Sequence, residues 1–323
     1  MNILIGSSEF EVLDAREKIT IADSFVVRSN KIGIGNGEAK LYVGQESQEL
    51  RAFFGNKGFG VKCFLLKKDL LEYLDETKEE YLKPMQPYVK RGALPVMWEE
   101  RRKSIESMPD KIDFVIEEQS QIDPPRVYVK SLDRAYQLIR EVSLPNITFI
   151  SIAKLVGQDG HIEFYMRLFT DYFSTYARPN GVEPNPQESG ASERATSRQS
   201  TSRARVGQSE FRKKVLERCR FCPVTSVSDD RLLIASHIKP WRVCNDFERI
   251  DPLNGFMFTP NIDYLFDQGF LSFTDDKKTI VSPFLSKVTC SLIGIANDVI
   301  VRSLPVEGSE VYLLYHRQHI FKG

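Results

Sequence analysis

The first half of the chain mixes two periods of apolar spacing. KIDFVIEEQ (111–119) alternates apolar and polar positions, and RVYVK (126–130) does the same beyond a turn at Asp123-Pro124-Pro125. Both predict strands. ITIADSFVVRS (19–29), KIGIG (31–35) and NITFISIA (146–153) are rich in β-branched residues and also predict strands. KKDLLEYLDETKEEYLK (67–83) spaces its apolar residues at helical intervals between charged faces. SLDRAYQLIREV (131–142) predicts a second helix, with Ser131 or Asp133 near its cap. HIEFYMRLFTDYFSTYA (161–177) reads as an amphipathic helix. Residues 1–177 are thus expected to form one mixed α/β domain.

The pattern stops at 178–205, which is rich in Pro, Gly, Ser, Arg and Glu and poor in apolar residues. Such a segment buries too little surface to offset its ordering entropy and is expected to be a flexible basic linker. A second domain is expected over 206–323, so the fold class expected for the whole chain is α+β.

Composition narrows the possibilities. Of 323 residues, 41% are apolar and 27% charged, enough for sizeable cores. Formal net charge is zero, which does not exclude nucleic-acid binding, because local patches govern it. Residues 193–220 carry nine basic and three acidic residues, a net of +6. Arg205, Arg212 and Lys213 in that stretch are candidates for phosphate contact. No run of about 18 apolar residues predicts a membrane span. The N-terminus reaches Glu9 too early and lacks the basic start of a signal peptide. Five cysteines scattered over a long chain suit reduced thiols and a cytoplasmic protein.

After the linker, GQSEFRKKVLERC (207–219) predicts a basic helix. RLLIASHIKP (231–240) carries a strand up to His237, stopped by Pro240. FMFT (256–259) predicts a strand entered through the Asn254-Gly255 turn. A short helix follows, with Thr259 at its cap, Pro260 at its first position and Gly269 past its end. The terminal segment around His316 and His319 reads as strand-like, with both imidazoles expected at the surface.

On the short helix Asp263 and Asp267 stand four apart and share a face. Two carboxylates there favour a hard cation, Mg²⁺ or Mn²⁺, over zinc. Cys219 and Cys222 form a Cys-x-x-Cys pair without a second pair, so structural zinc is not expected. An imidazole can deprotonate water near neutral pH, which points to His237 as a general base. The Asn254 amide can bridge the intervening loop and hold that ring. Lys239 and Arg242, just beyond the base, can meet phosphate.

Together these segments resemble the HNH nucleases of the ββα-metal superfamily, closest to their restriction-type branch. The residues carrying the likeness are ASHIKPW (235–241), DPLNGFMFTPNID (251–263) and LFDQGFLSF (265–273), with GQSEFR (207–212), CPVT (222–225) and YHRQHIF (315–321) around them. Sixteen residues separate His237 from Asn254, eight separate Asn254 from Asp263, and three separate Asp263 from Asp267. The resemblance covers about 205–323. It implies a metal-dependent DNA endonuclease with His237 as base, Asn254 as loop anchor, and Asp263 and Asp267 as metal ligands. One departure is Ser236, where many such motifs carry a His or Asp ligand.

A nuclease module needs a source of target choice, and residues 1–177 are the expected DNA-recognition domain. The expected activity is restriction-type cleavage of double-stranded DNA. One active site per chain suggests a homodimer for double-strand cleavage. The other reading is a nonspecific nuclease effector in anti-phage defence, unleashed when the N-terminal domain senses a ligand or partner.

Overall fold

A computed structural model describes residues 1–119, 125–171 and 210–323. The chain divides into two compact units, Met1–Pro184 and Asn185–Gly323. The expected linker at 178–205, with Arg205, lies outside the described residues, as does most of the 123–125 turn.

The first unit is built on an eight-stranded sheet. Its strands are β1 (Asn2–Ile5), β2 (Ser8–Thr20), β3 (Leu41–Gln45), β4 (Gly60–Leu66), β5 (Lys111–Glu118), β6 (Arg126–Lys130), β7 (Thr148–Gly157) and β8 (Ile162–Thr170). They lie in the order β1-β2-β7-β8-β4-β5-β6-β3. β4 and β8 pair in parallel, Cys63 opposite Phe164, while the other neighbours are antiparallel. Among the described residues the unit also has helices α1 (Gln48–Phe54), α2 (Lys67–Glu76), α3 (Lys78–Leu82), α4 (Leu94–Glu106) and α5 (Arg134–Val142). On α5, Ala135, Tyr136, Leu138, Ile139 and Val142 are buried, an amphipathic stripe that joins the core.

Several expectations need correction. Residues 162–170, expected to be helical, instead form β8, which lies between β7 and β4 and is buried on both faces, so no two-residue alternation shows; 172–177 lie outside the described residues. Strand β2 ends at Thr20, and 31–35 form no strand. The expected helix at 67–83 is two helices broken at Thr77, whose Oγ1 donates to the Tyr73 carbonyl. Asp133 occupies the cap position of α5, but its carboxylate accepts from Val115 N rather than from the helix.

The second unit contains α6 (210–218), β9 (Ile234–His237), β10 (Gly255–Phe258), α7 (Pro260–Asp267), β11 (Leu271–Phe273), β12 (Thr279–Val281), α8 (Lys287–Ile293) and α9 (Glu310–His319). β9 and β10 form an antiparallel pair that sets Gly255 opposite His237. Phe256, Phe258, Phe266 and Phe273 pack ring to ring beneath them. The terminal segment is the helix α9, not a strand. The module as a whole is therefore α+β. Among the described residues no helix is long and apolar enough to cross a membrane.

Candidate active site

His237 ends β9, where Pro240 stops the strand. Its ring lies flat on Phe211 of α6, with centroids 3.7 Å apart and planes 10° from parallel. Phe211 and Val215 on the buried face of α6, and Cys219 just past its end, recur at four-residue steps. Gly255, across the strand pair, leaves room for them: a Cβ there would stand 2.5 Å from Phe211 Cζ and 2.8 Å from Val215 Cγ2. No side chain other than hydrogen fits at that position.

His237 Nε2 lies 3.1 Å from the Arg249 carbonyl oxygen. A carbonyl only accepts, so Nε2 carries the proton, and the lone pair of the neutral ring sits on Nδ1. Among the described residues Nδ1 accepts no hydrogen bond. Burial lowers the imidazole pKa below its usual value, and the carbonyl bond partly opposes that shift. The ring is thus held neutral, in the tautomer whose free nitrogen is Nδ1.

The Arg249 carbonyl belongs to the loop between β9 and β10, and Asn254 ties that loop at its root. Asn254 is fully buried. Its Oδ1 accepts from Lys239 N at 2.8 Å, and its Nδ2 donates to the carbonyls of Glu248 at 3.0 Å and Lys239 at 3.3 Å. Cys244 Sγ lies 3.3 Å from the same Nδ2. Residues 239, 244 and 248 therefore converge on one amide, next to the carbonyl that holds His237.

The cations near the base differ in their engagement. Lys239 does not present a free ammonium, as expected from sequence, but pairs with Glu248 at 2.7 Å inside the loop. Arg242 is exposed, and its charge partly opposes the rise that burial gives the Asp267 carboxyl pKa. Arg212 is spent on the backbone, donating to the Leu233 carbonyl at 2.6 Å and the Asp230 carbonyl at 2.5 Å. Lys213 is exposed on α6.

Helix α7 packs on β9 and β10 through Ile262, Leu265 and Phe266. Asp263 lies in its first turn, where the helix dipole favours an anion, and is half-buried; Asp267 is exposed one turn on. Desolvation by nearby protein raises the Asp267 carboxyl pKa, against the pull of Gln268 and Arg242. These oxygen donors fit a hard divalent cation that keeps much of its coordination for water and phosphate. Among the described residues no group of three or more His, Cys, Asp or Glu is arranged to hold a metal ion by itself. The thiols serve packing: buried Cys219 donates to the Phe221 carbonyl, and Cys222 lies 3.8 Å from Thr259 Oγ1.

His316 is not at the surface. It is buried and stacked on Phe266 at 3.9 Å, with Nε2 donating to the Phe266 carbonyl at 2.9 Å and Nδ1 accepting from Ser272 Oγ at 2.9 Å. Burial pushes its pKa down to about 4. His319 is exposed. Sequence reasoning missed the roles of Phe211 and Arg249. The four-residue spacing on α6 and the glycine opposite the base were the available signals for Phe211; nothing local marks a backbone carbonyl.

A strand pair ending in a histidine, a pinned loop and a carboxylate-bearing helix define a ββα nuclease module. Residues 222–274 match the family described as HNH endonuclease, and this part of the chain is an HNH endonuclease domain. No curated protein matches the chain. The domain marks the protein as a nuclease, with DNA as the implied substrate; such nucleases generally use a divalent metal.

Proposed function

We propose that the protein is a restriction-type endonuclease that hydrolyses double-stranded DNA, with target choice made by residues 1–177. The observation that carries the catalytic half is the clamped His237 ring, neutral and with Nδ1 as its unprotonated nitrogen. In this reading Nδ1 takes a proton from water as the oxygen attacks phosphorus. The P–O bond on the opposite side then breaks, and its electron pair leaves on the departing oxygen. The Arg249 carbonyl stabilises the imidazolium as it forms, because a hydrogen bond to a cationic ring is the stronger one. Asn254 positions rather than reacts. Asp263 and Asp267 are the residues that would hold Mg²⁺ or Mn²⁺, which supplies positive charge for the phosphate and the leaving oxygen. Arg242, exposed beside Asp267, is placed to meet a phosphate.

A single HNH domain per chain cuts one strand per visit, so double-strand cleavage calls for two copies. The test is digestion of methylated and unmethylated plasmid DNA with Mg²⁺, with and without EDTA. Discrete, EDTA-sensitive fragments are expected. A smear, or no cutting until a small ligand is added, would refute target choice by the first unit and leave a ligand-gated nuclease.

A further inference from the structure

The first unit carries a groove of about 320 Å³ at the edge of its sheet, where β3 ends the strand order. The ribbon β3–β6 has two unlike faces. Leu41, Val43, Val127 and Val129 point into the core and are at most 2% exposed. Tyr42 and Tyr128, which stand opposite each other in register, belong to the other face, with ring centroids 5.4 Å apart and planes tilted by 53°. Gln45 and Arg126 form the next register pair but one. Lys40 and Thr20 close the rim. The floor is fixed, since Tyr136 Oη accepts from Leu41 N at 3.2 Å and donates to the Val129 carbonyl at 2.8 Å.

The edge strand is held without consuming these side chains. Arg16 of β2 donates Nε to the Val43 carbonyl at 2.7 Å, tying β3 across the seam. Arg126, Gln45 and Tyr42 are exposed. Lys40 pairs with Glu38, itself 76% exposed, a contact that a bound anion can displace at little expense.

We infer that this groove binds a single unpaired nucleotide, with its base stacked on one ring of the Tyr42–Tyr128 pair and edge-on to the other, and its phosphate met by Arg126 and Lys40. The chemistry selects that class. An inorganic anion makes no use of two tyrosine faces, and a neutral aromatic molecule makes no use of two cations. Gln45 offers a donor and an acceptor to a base edge. The volume lies at the small end of ligand clefts and suits roughly one nucleotide. Stacking on an aromatic platform beside a cation is how unpaired bases are held generally. With a nucleotide from a DNA strand the inference deepens the reading that residues 1–177 choose the target; with a free nucleotide it replaces that reading by ligand gating. The nucleotide can come from a strand whose base has left the duplex, or from a free nucleotide that gates the nuclease.

The experiment uses the full chain in EDTA, where binding is measured without cleavage, so its failure is distinct from failure of the endonuclease reading. Fluorescence anisotropy compares a labelled duplex carrying one unpaired adenosine, the fully paired duplex, and a single strand; calorimetry titrates dAMP and ATP. Tyr128→Ala and Arg126→Ala are expected each to weaken the preferred probe about tenfold, while Tyr128→Phe stays near the parent. Preference for the unpaired-base duplex over the paired one assigns the DNA source; tight binding of a mononucleotide assigns the free one. Affinities within twofold of the parent for both alanine variants, on every probe and with melting temperature unchanged, would overturn the inference.

Discussion

Asn254→Ala is the sharpest test of how the catalytic loop is held. The parent amide makes three hydrogen bonds to the backbone of residues 239 and 248 and touches Cys244. Alanine leaves the Lys239 N–H and two carbonyls without that partner. Each buried polar group left unpaired costs about 1–3 kcal/mol. Some are rescued by water, so about 3 kcal/mol is the expected loss for the nuclease unit. That corresponds to a fall of roughly 10 °C in its melting transition. The catalytic loss is separate. Glu248 is followed by Arg249, whose carbonyl fixes the base, so a loop shift of about 1 Å misplaces Nδ1 and lowers turnover about 100-fold. Calorimetry reads the first effect; single-turnover cleavage of a labelled duplex, well below the melting transition, reads the second. Asn254→Asp keeps the acceptor for Lys239 N but turns a carboxylate oxygen toward two carbonyls, so it should cleave no better than alanine. Cleavage within threefold of the parent, despite the lower melting temperature, would refute the chain from Asn254 through Arg249 to His237.

His237→Ala should reduce cleavage by about 10²–10⁴-fold while DNA affinity stays within a few-fold, and near-parental turnover would remove His237 as the base. Because burial lowers the His237 pKa, the base stays neutral to lower pH than usual, and the acid limb of the rate profile should have its midpoint below pH 6.5; a midpoint above that value contradicts the assignment. Asp263→Asn and Asp267→Asn should each raise the Mg²⁺ needed for half-maximal cutting about tenfold or abolish cutting, and an unchanged metal requirement would place the ligands elsewhere. His316 has a folded pKa of about 4, below its unfolded value of 6.5. Its contribution to stability is thus complete above pH 6.5 and fades as pH falls toward 4, by roughly 3 kcal/mol. Denaturant titrations of the parent and His316→Gln at both ends of that range should diverge by this amount, and parallel pH dependence would refute it.

The order of strand, loop, strand and helix around the site was legible because its punctuation is local. Pro240 stops a strand, Asn254-Gly255 opens one, and Pro260 and Gly269 bracket a helix; Gly269 adopts φ +76° where a Cβ would meet the Ile320 carbonyl oxygen at 2.0 Å. Burial was less legible. His316 looked like one of two polar residues near a terminus, but α9 turns it under Phe266, a contact spanning 50 residues. Lys239 looked available until the structure paired it with Glu248. The stretch 162–170, expected as helix, shows the same limit: a strand with neighbours on both sides and cover on both faces has no polar face to reveal its period.

The strand order has a consequence for the protein during its synthesis. The last two strands of the first unit, β7 and β8, insert between β2 and β4 and form the middle of the sheet rather than its rim. A nascent chain ending anywhere before β8 holds two sheet fragments with exposed apolar edges and no strand ladder between β2 and β4. The unit closes only once β8 has left the ribosome, with the nuclease half still to be translated. At about 5–20 residues per second, the roughly 150 residues from the end of β8 to the end of α9 leave on the order of ten seconds for the first unit to close before α9 of the nuclease unit is made.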